Sequence, residues 1–166
     1  MSAARPSCKK MNKLIRKTNI KNIAIPLVIA IFFISDILLK ILSLNLMSAA
    51  PRKLIGNIFS FHPTANYYMA FSFPFSGPLL NIFVSLIVIA LISYVLHLKK
   101  NKKKRKSEMV LLIFILLGAL SNLTDRWTNG YVIDYLELRN FTVFNIADVM
   151  ISAGALLLIL KNIRNK

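Results

Sequence analysis

The chain has 166 residues, of which 56% are apolar, and its 22 Lys and Arg against six Asp and Glu give a formal net charge of +16. A soluble domain of this length has too small an interior to bury so much apolar surface, and a disordered basic chain would be poor in apolar residues. These numbers predict an integral membrane protein whose charge lies in its connections. The single cysteine, Cys8, excludes an internal disulfide framework.

Four apolar stretches predict four membrane-spanning helices, because a helix needs about 20 apolar residues to cross a bilayer. They cover approximately residues 23–46, 77–98, 109–125 and 141–160. We expect these spans to form one membrane domain over residues 1–166, with a basic tail at residues 1–22.

Lys and Arg orient the predicted spans. Seventeen of the 22 lie in the tail, in the connection at residues 99–106 or at the C-terminus. Because positive residues collect on the cytoplasmic side, we expect both termini there and segments 47–76 and 126–140 on the outer face. The charge could also suggest a nucleic-acid partner, but the basic runs lack interleaved aromatic residues. We therefore expect contact with anionic membrane lipids and none with nucleic acid.

The first outer segment, residues 47–76, is too aromatic for a solvated loop. It contains three prolines and a run of Phe and Tyr residues between Phe59 and Phe75. Aromatic residues settle at the membrane interface. The segment therefore predicts a small β-like layer, or an amphipathic segment, that forms a platform above the spans and helps hold an apolar substrate.

Four aspartates converge on the outer half of the predicted membrane region. Acids inside spans cost roughly 2.5–3.5 kcal/mol on insertion, so they indicate function by default. They are Asp36 in the first span, Asp125 at the end of the third, Asp134 in the outer connection and Asp148 in the fourth span. Lys40 follows Asp36 at i+4, which predicts an ion pair that either neutralises two buried charges or orients the site.

Two amide and acid pairs share the same spacing. Asn122 and Asp125 are three residues apart, as are Asn145 and Asp148, so each helix is expected to present an amide and an acid on one face. Arg126 adds a forked donor suited to carbonyl or carboxylate groups. The pattern indicates either a site between the helices or interhelical polar packing.

Asp134 and Asp148 could meet through the 13-residue connection between them. Two carboxylates in a desolvated pocket share one proton and titrate as a unit. The ionised member can take a proton from water while the protonated member polarises a carbonyl, which predicts metal-free peptide hydrolysis. With His62 and His97 as the only histidines, we expect no metal site, no Ser-His-Asp triad and no cofactor.

Five sequence blocks resemble the lipoprotein signal peptidase (signal peptidase II) family. They occur in the family's order from the first predicted span to the last, and the last three are specific. The blocks are SDILLK (from Ser35), NYYMAFSF (from Asn66), GALSNLTDR (from Gly118), NGYVIDY (from Asn129) and FNIADVMISAG (from Phe144).

The resemblance implies an all-α membrane protein of four helices with a periplasmic β-cradle between helices 1 and 2, in the bacterial inner membrane. It implies a monomeric aspartic endopeptidase that cleaves prolipoproteins N-terminal to a diacylglyceryl-modified cysteine at the periplasmic face. By motif position the catalytic residues are Asp134 and Asp148, and the residues that line the site and hold the substrate backbone are Asn122, Arg126 and Asn145. Asn66 would lie on the cradle side, and Asp36, Gly118, Asp125 and Ala147 match positions of support or close packing, with Lys40 counted beside Asp36 among the substrate-binding or supporting residues.

Three departures from the family pattern predict altered substrate preference or slow turnover. Tyr68 stands where the cradle motif has glycine, Ser121 stands where glycine is common, and the connection from Asp134 to Asn145 is short. Two alternatives stay open. One is a non-catalytic relative that binds signal peptides or lipids. The other is a small proton-coupled transporter, although such proteins show interrupted helices or repeats that are not seen in the sequence.

Overall fold

The computed structural model describes residues 8–68, 76–100 and 106–164. Residues 69–75 of the aromatic segment and residues 101–105 of the basic connection lie outside this part, as does the start of the basic tail. The chain forms two compact units with the boundary after Ile31. The first contains the N-terminal part of helix α1, and the second contains the rest of α1 with all the strands and other helices.

Four long helices are present, as the hydropathy predicts. They are α1 (Cys8–Leu44), α2 (Pro78–Lys100), α3 (Lys106–Asn129) and α4 (Ile146–Arg164). Each contains a segment long and apolar enough to cross a membrane, and large apolar side chains such as Leu86 and Leu156 are more than half exposed. An apolar outer surface of this kind is the one that lipid tails require.

A four-stranded antiparallel sheet joins the α1–α2 connection to the α3–α4 connection. Its strands are β1 (Arg52–Ile55), β2 (Phe59–Asn66), β3 (Val132–Leu138) and β4 (Thr142–Phe144), hydrogen-bonded in the order β1-β2-β3-β4. The β2–β3 pairing aligns Thr64 with Asp134 and is irregular between Phe61 and Thr64, where Pro63 has no N–H to donate. This pairing brings together two segments of the chain that are far apart in sequence.

The sheet corrects two predictions. The β-layer does not come only from the connection between α1 and α2, because β3 and β4 lie between α3 and α4. The fourth span, expected from residue 141, begins instead at Ile146. The run Thr142–Phe144 is β-branched and aromatic and pairs with β3 as β4.

The third helix extends one turn past Asp125, to Asn129. It ends at Gly130, which has a positive φ of 83° and whose N–H donates to the Arg126 carbonyl at 3.2 Å. A glycine in this left-handed conformation is the usual way to stop a helix. Asp125 and Arg126 therefore both lie in the last two turns of α3, beside the sheet.

Helices α3 and α4 approach each other closely at Gly118. A Cβ atom placed there would lie 2.6 Å from the Ala147 carbonyl oxygen and 3.1 Å from the Met150 Cβ. The absence of a side chain thus allows α3 to touch the first turn of α4. This contact sets the distance between the polar residues at the ends of the two helices.

Candidate active site

Asp134 lies in β3 and is only 2% exposed. Its two carboxylate oxygens accept hydrogen bonds from two amides. Asn145 Nδ2 donates to Oδ1 at 2.7 Å, and Asn66 Nδ2 on β2 donates to Oδ2 at 2.8 Å. The sheet therefore positions Asp134, because Asn66 reaches it across the β2–β3 pairing.

Asp148 lies in the first turn of α4, where Asn145 is the N-cap. The Asp148 N–H donates to Asn145 Oδ1 at 2.8 Å, and the Asn145 N–H donates back to Asp148 Oδ2 at 3.3 Å. This reciprocal arrangement is a capping box. The expected pairing of Asn145 with Asp148 is present, but Asn145 stands just before the helix and does not occupy a helical face. Asn122 on α3 donates to Asp148 Oδ1 at 2.8 Å.

Two amides connect the two carboxylates. Asn122 holds Asp148 through its Nδ2, and Asn122 Oδ1 accepts a hydrogen bond from Asn145 Nδ2 at 3.1 Å. The same Asn145 Nδ2 contacts Asp134. Asp134 and Asp148 are thus ends of a continuous hydrogen-bonded chain that draws on β3, α3 and the α4 N-terminus.

The surroundings of Asp134 favour its protonated form. Burial raises the pKa of the Asp134 carboxyl, the negative charge of Asp148 raises it further, and together they bring it to about 7. Hydrogen bonds from Asn66 and Asn145, with the positive charge of Lys40, oppose this shift only in part. At neutral pH one proton can therefore reside at this carboxyl.

Lys40 is a buried residue of α1 whose ammonium group extends to α3. Its Nζ is 3.2 Å from Asp36 Oδ2 and 2.8 Å from Asp125 Oδ2, and it donates to Ser121 Oγ and Asn122 Oδ1 at 2.9 Å each. The expected Asp36–Lys40 ion pair is present, and the same ammonium also contacts Asp125 and an amide of the site.

The two other carboxylates bind the segments on either side of the site. Asp36 Oδ1 accepts hydrogen bonds from the Ala147 N–H at 3.0 Å and the Tyr135 hydroxyl at 2.9 Å. Asp125 Oδ2 accepts one from the Ile133 N–H at 3.2 Å. Since Ile133 precedes Asp134 and Ala147 precedes Asp148, these contacts hold the backbone next to each candidate catalytic acid.

Arg126 reaches from α3 to the segment that follows β2. Its Nη2 donates to the Tyr68 carbonyl at 2.6 Å, and the Tyr68 N–H donates to Asn66 Oδ1 at 3.0 Å. Tyr68 therefore meets the site through its backbone while its side chain is 48% exposed. This is why a tyrosine can stand at a position where glycine was expected.

Two residues close to the site had no predicted role. Ser121 was noted only as a departure from the family pattern, yet its hydroxyl donates to Asp36 and accepts from Lys40. Tyr135 is 0% exposed. The only sequence signal for Tyr135 was its position directly after Asp134. A tyrosine that is buried there needs a hydrogen-bond partner for its hydroxyl group.

His62 lies on the sheet, where its Nδ1 is 3.1 Å from Glu137 Oε2 and both side chains are about one-third exposed. It does not join the buried carboxylates. Over the described ranges, no three His, Cys, Asp or Glu side chains are grouped in a way that could hold a metal ion.

Four membrane-spanning helices with a small sheet at one end define a multi-pass membrane protein. The family model described as Signal peptidase (SPase) II matches residues 28–164. The chain belongs to this family, and it is accordingly a membrane-bound protease.

Relatives agree with this assignment, and a solved structure agrees with the fold. The chain is 34% identical over 161 residues to the lipoprotein signal peptidase of Alteromonas mediterranea, covering 93% of this chain and 87% of that protein. It is 33% identical over 137 residues to that of Haemophilus influenzae strain Rd, covering 79% and 80%. A solved structure described as "Bacterial membrane enzyme structure by the in meso method at 2.3 A resolution" has the same fold, with a TM-score of 0.71, 20% identity and coverage of 86% and 88%.

Proposed function

We propose that the protein is an aspartic endopeptidase that removes signal peptides from diacylglyceryl-modified prolipoproteins, with Asp134 and Asp148 as its catalytic pair. The observation that carries the proposal is the joining of these two acids through Asn122 and Asn145, in surroundings that raise the pKa of Asp134 to about 7. A pair of this kind can hold one proton at neutral pH, which general acid–base hydrolysis requires.

The reaction follows from that shared proton. The ionised acid takes a proton from a water molecule, whose oxygen then attacks the carbonyl carbon of the scissile peptide bond. The protonated acid donates its proton to the carbonyl oxygen as the tetrahedral intermediate forms. When the intermediate collapses, one of its hydroxyl groups returns its proton to the second acid, the C–N bond breaks, and the leaving amine receives the proton that the first acid took from water.

The polar residues around the pair are suited to bind the substrate backbone. Within the described part of the chain, the Arg126 guanidinium donates one hydrogen bond to the backbone, to the Tyr68 carbonyl. A guanidinium has five N–H donors. We expect Arg126 to hold a substrate carbonyl, and Asn66, Asn122 and Asn145 to keep the two carboxylates in place as substrate binds. We expect Asp36, Lys40 and Asp125 to hold these groups in position through their hydrogen bonds and ion pairs.

We place the site at the periplasmic face of the bacterial inner membrane, with both termini cytoplasmic. The excess of Lys and Arg at the opposite ends of the helices supports this orientation. The sheet carries exposed apolar residues, Leu54, Ile55 and Ile58, which suit a position at the lipid boundary. A lipid-modified substrate could then reach the acids from the bilayer. All the groups of the site lie in one chain, so we expect a monomer to act.

The test is a gel-shift cleavage assay with purified protein in detergent. The substrates are a diacylglyceryl-modified prolipoprotein and its unlipidated precursor. We expect cleavage of the lipidated form only. Asp134→Asn and Asp148→Asn should each lower the rate by at least about 1,000-fold, since an amide cannot exchange the required proton.

Glu137→Gln is the matched control, because Glu137 lies on the same strand as Asp134 but is partly exposed and pairs with His62. It should cleave at the parent rate. Full activity of either aspartate variant would refute the catalytic pair. Binding of the lipidated substrate without any cleavage would indicate a non-catalytic relative.

A further inference from the structure

Tyr135 lies directly after Asp134 on β3 and is fully buried. Successive side chains of a strand point to opposite faces, so the phenol ring extends away from the Asp134 carboxylate. It packs against the ring of Phe61 with centroids 6.0 Å apart. The buried hydroxyl must find polar partners on that side of the strand.

The Tyr135 hydroxyl has two partners on two different helices. It donates to Asp36 Oδ1 on α1 at 2.9 Å and accepts from the Ile146 N–H at 3.1 Å. Ile146 is the first residue of α4, and the first four N–H groups of a helix have no acceptor within the helix. The hydroxyl therefore supplies an acceptor that α4 lacks.

The first three N–H groups of α4 are each bound by a different side chain. Tyr135 accepts from Ile146, Asp36 Oδ1 accepts from Ala147 at 3.0 Å, and Asn145 Oδ1 accepts from Asp148 at 2.8 Å. These three contacts determine where the first turn of α4 lies. Of the three, only Tyr135 belongs to the strand that carries Asp134.

The hydroxyl stays protonated over the working pH range. Burial raises the pKa of the Tyr135 phenol, and the negative charge of Asp36 raises it further. A neutral phenol can donate to Asp36 and accept from Ile146 at the same time. The link between strand and helix is therefore present at every pH at which the acids titrate.

We infer that Tyr135 is a positioning residue for the proposed peptidase reaction, which sets the distance between Asp134 and Asp148 by fastening β3 to the first turn of α4. The inference rests on the proposed function. Proton sharing by two acids depends on how close they are, so loosening this link should impair the chemical step. Substrate binding should be unaffected, because Tyr135 lies on the other side of the strand.

The direct test is Tyr135→Phe, which keeps the ring and removes the hydroxyl. We expect kcat for the lipidated substrate to fall about ten-fold, with KM within about two-fold of the parent. The alkaline limb of the kcat profile should also move to lower pH, since a more distant Asp148 repels charge on Asp134 less. The cations facing Asp134 and Asp148, Lys40 and Arg126, are the same in both proteins.

Tyr131→Phe is the matched control. It removes the same atom four positions earlier, from a residue whose ring packs against Tyr67 at 5.2 Å and which we place in no catalytic role. We expect parent kcat, KM and pH profile. A change in this variant equal to that in Tyr135→Phe would refute a specific role for the Tyr135 hydroxyl.

A second variant removes the other end of the contact. Proline is well tolerated at the first position of a helix, so Ile146→Pro deletes the N–H that Tyr135 accepts. It should lower kcat as Tyr135→Phe does, and the double variant should be no slower than Tyr135→Phe alone, because both changes break one link. If Tyr135→Phe does not fold, the Ile146→Pro variant alone tests the inference. A kcat of Ile146→Pro equal to that of the parent would then overturn it.

Three results would overturn the inference while leaving the proposed function intact. The first is a Tyr135→Phe variant with the kcat of the parent. The second is a Tyr135→Phe variant with a lower melting temperature but an unchanged pH profile of kcat. The third is a double variant whose fold-loss in kcat is the product of the two single fold-losses. Failure of the proposed function is recognised separately, by cleavage that survives Asp148→Asn.

Discussion

Asp134 is an ordinary acid in the sequence and an unusual one in the folded protein. Its pKa rises from 3.8 to about 7, first because it is buried and second because Asp148 is close. The amides of Asn66 and Asn145 remove part of the cost of the charged form but not all of it. A carboxyl that titrates near neutral pH can serve as both acid and base in one catalytic cycle.

This shift predicts how stability depends on pH. Between about pH 4 and pH 7 the folded protein binds more protons at Asp134 than the unfolded chain, so the free energy of unfolding falls as pH rises. The amide in the Asp134→Asn variant cannot ionise, so the variant's free energy of unfolding does not fall with pH for this reason. We expect its melting temperature in detergent, relative to that of the parent, to increase by a few degrees from pH 5 to pH 8.

The measurement is thermal unfolding of both proteins across that range at constant salt. The constant offset from replacing a carboxylate by an amide cancels, because only the change with pH is compared. If the melting temperatures of the two proteins changed with pH in the same way, the pKa of Asp134 would have its ordinary value.

At the level of the elements, the packing of α3 on α4 places the second half of the site. Gly118 lets the Ala147 carbonyl approach α3, and Asp148 is the next residue of α4. Asn122, one turn further along α3, then reaches Asp148 at 2.8 Å. The distance between two helices thus determines a hydrogen bond at a carboxylate.

Gly118→Ala should therefore damage the protein more than Gly154→Ala. The new Cβ at 118 would lie 2.6 Å from a backbone oxygen that cannot move without moving α4. The new Cβ at 154 would meet the Ile115 Cγ1 at the same 2.6 Å, so there one stiff β-branched side chain must be displaced, and not the backbone beside Asp148. We expect Gly118→Ala to lose roughly 1–3 kcal/mol of stability and at least about ten-fold in cleavage rate, as an overpacked contact displaces Asp148.

The two variants are compared by melting temperature and by the cleavage assay. Gly154→Ala serves as the matched control because it makes the same chemical change between the same two helices. Equal losses in both variants would mean that the approach at Gly118 has no special bearing on the site.

At the level of the whole molecule, charge is distributed unevenly along the sequence. The basic residues concentrate at the ends of the helices away from the sheet, and the sheet lies where α1 and α3 end and α2 and α4 begin. By the positive-inside rule, we propose that the sheet and the acids lie on the outer face.

Cysteine labelling in intact cells tests this orientation, because Cys8 is the only cysteine of the chain. A membrane-impermeant maleimide should label Cys8 only after the membrane is permeabilised. In a Cys8→Ser background, Asn57→Cys in the turn between β1 and β2 should be labelled without permeabilisation. The reverse pattern would invert the proposed topology.

Much of the architecture could be predicted because its signals are local. An apolar run of about 20 residues specifies a spanning helix wherever it occurs, and the i+4 spacing of Asp36 and Lys40 places both on one helix face. The start of α4 could not be predicted by hydropathy alone. The residues Thr142–Phe144 are apolar enough to continue a span, and only their pairing with β3 makes them a strand.

The amino-acid sequence alone was enough to predict the four helices, the sign and position of the charges, and the residue types proposed for catalysis. These depend on composition and short spacings, which each segment holds independently of the others. The folded structure was needed to show that β2 pairs with β3, that Lys40 contacts Asp125, and that the Tyr135 hydroxyl contacts Asp36 and Ile146. Such contacts join residues far apart in the chain, and they exist only once the helices and the sheet pack together.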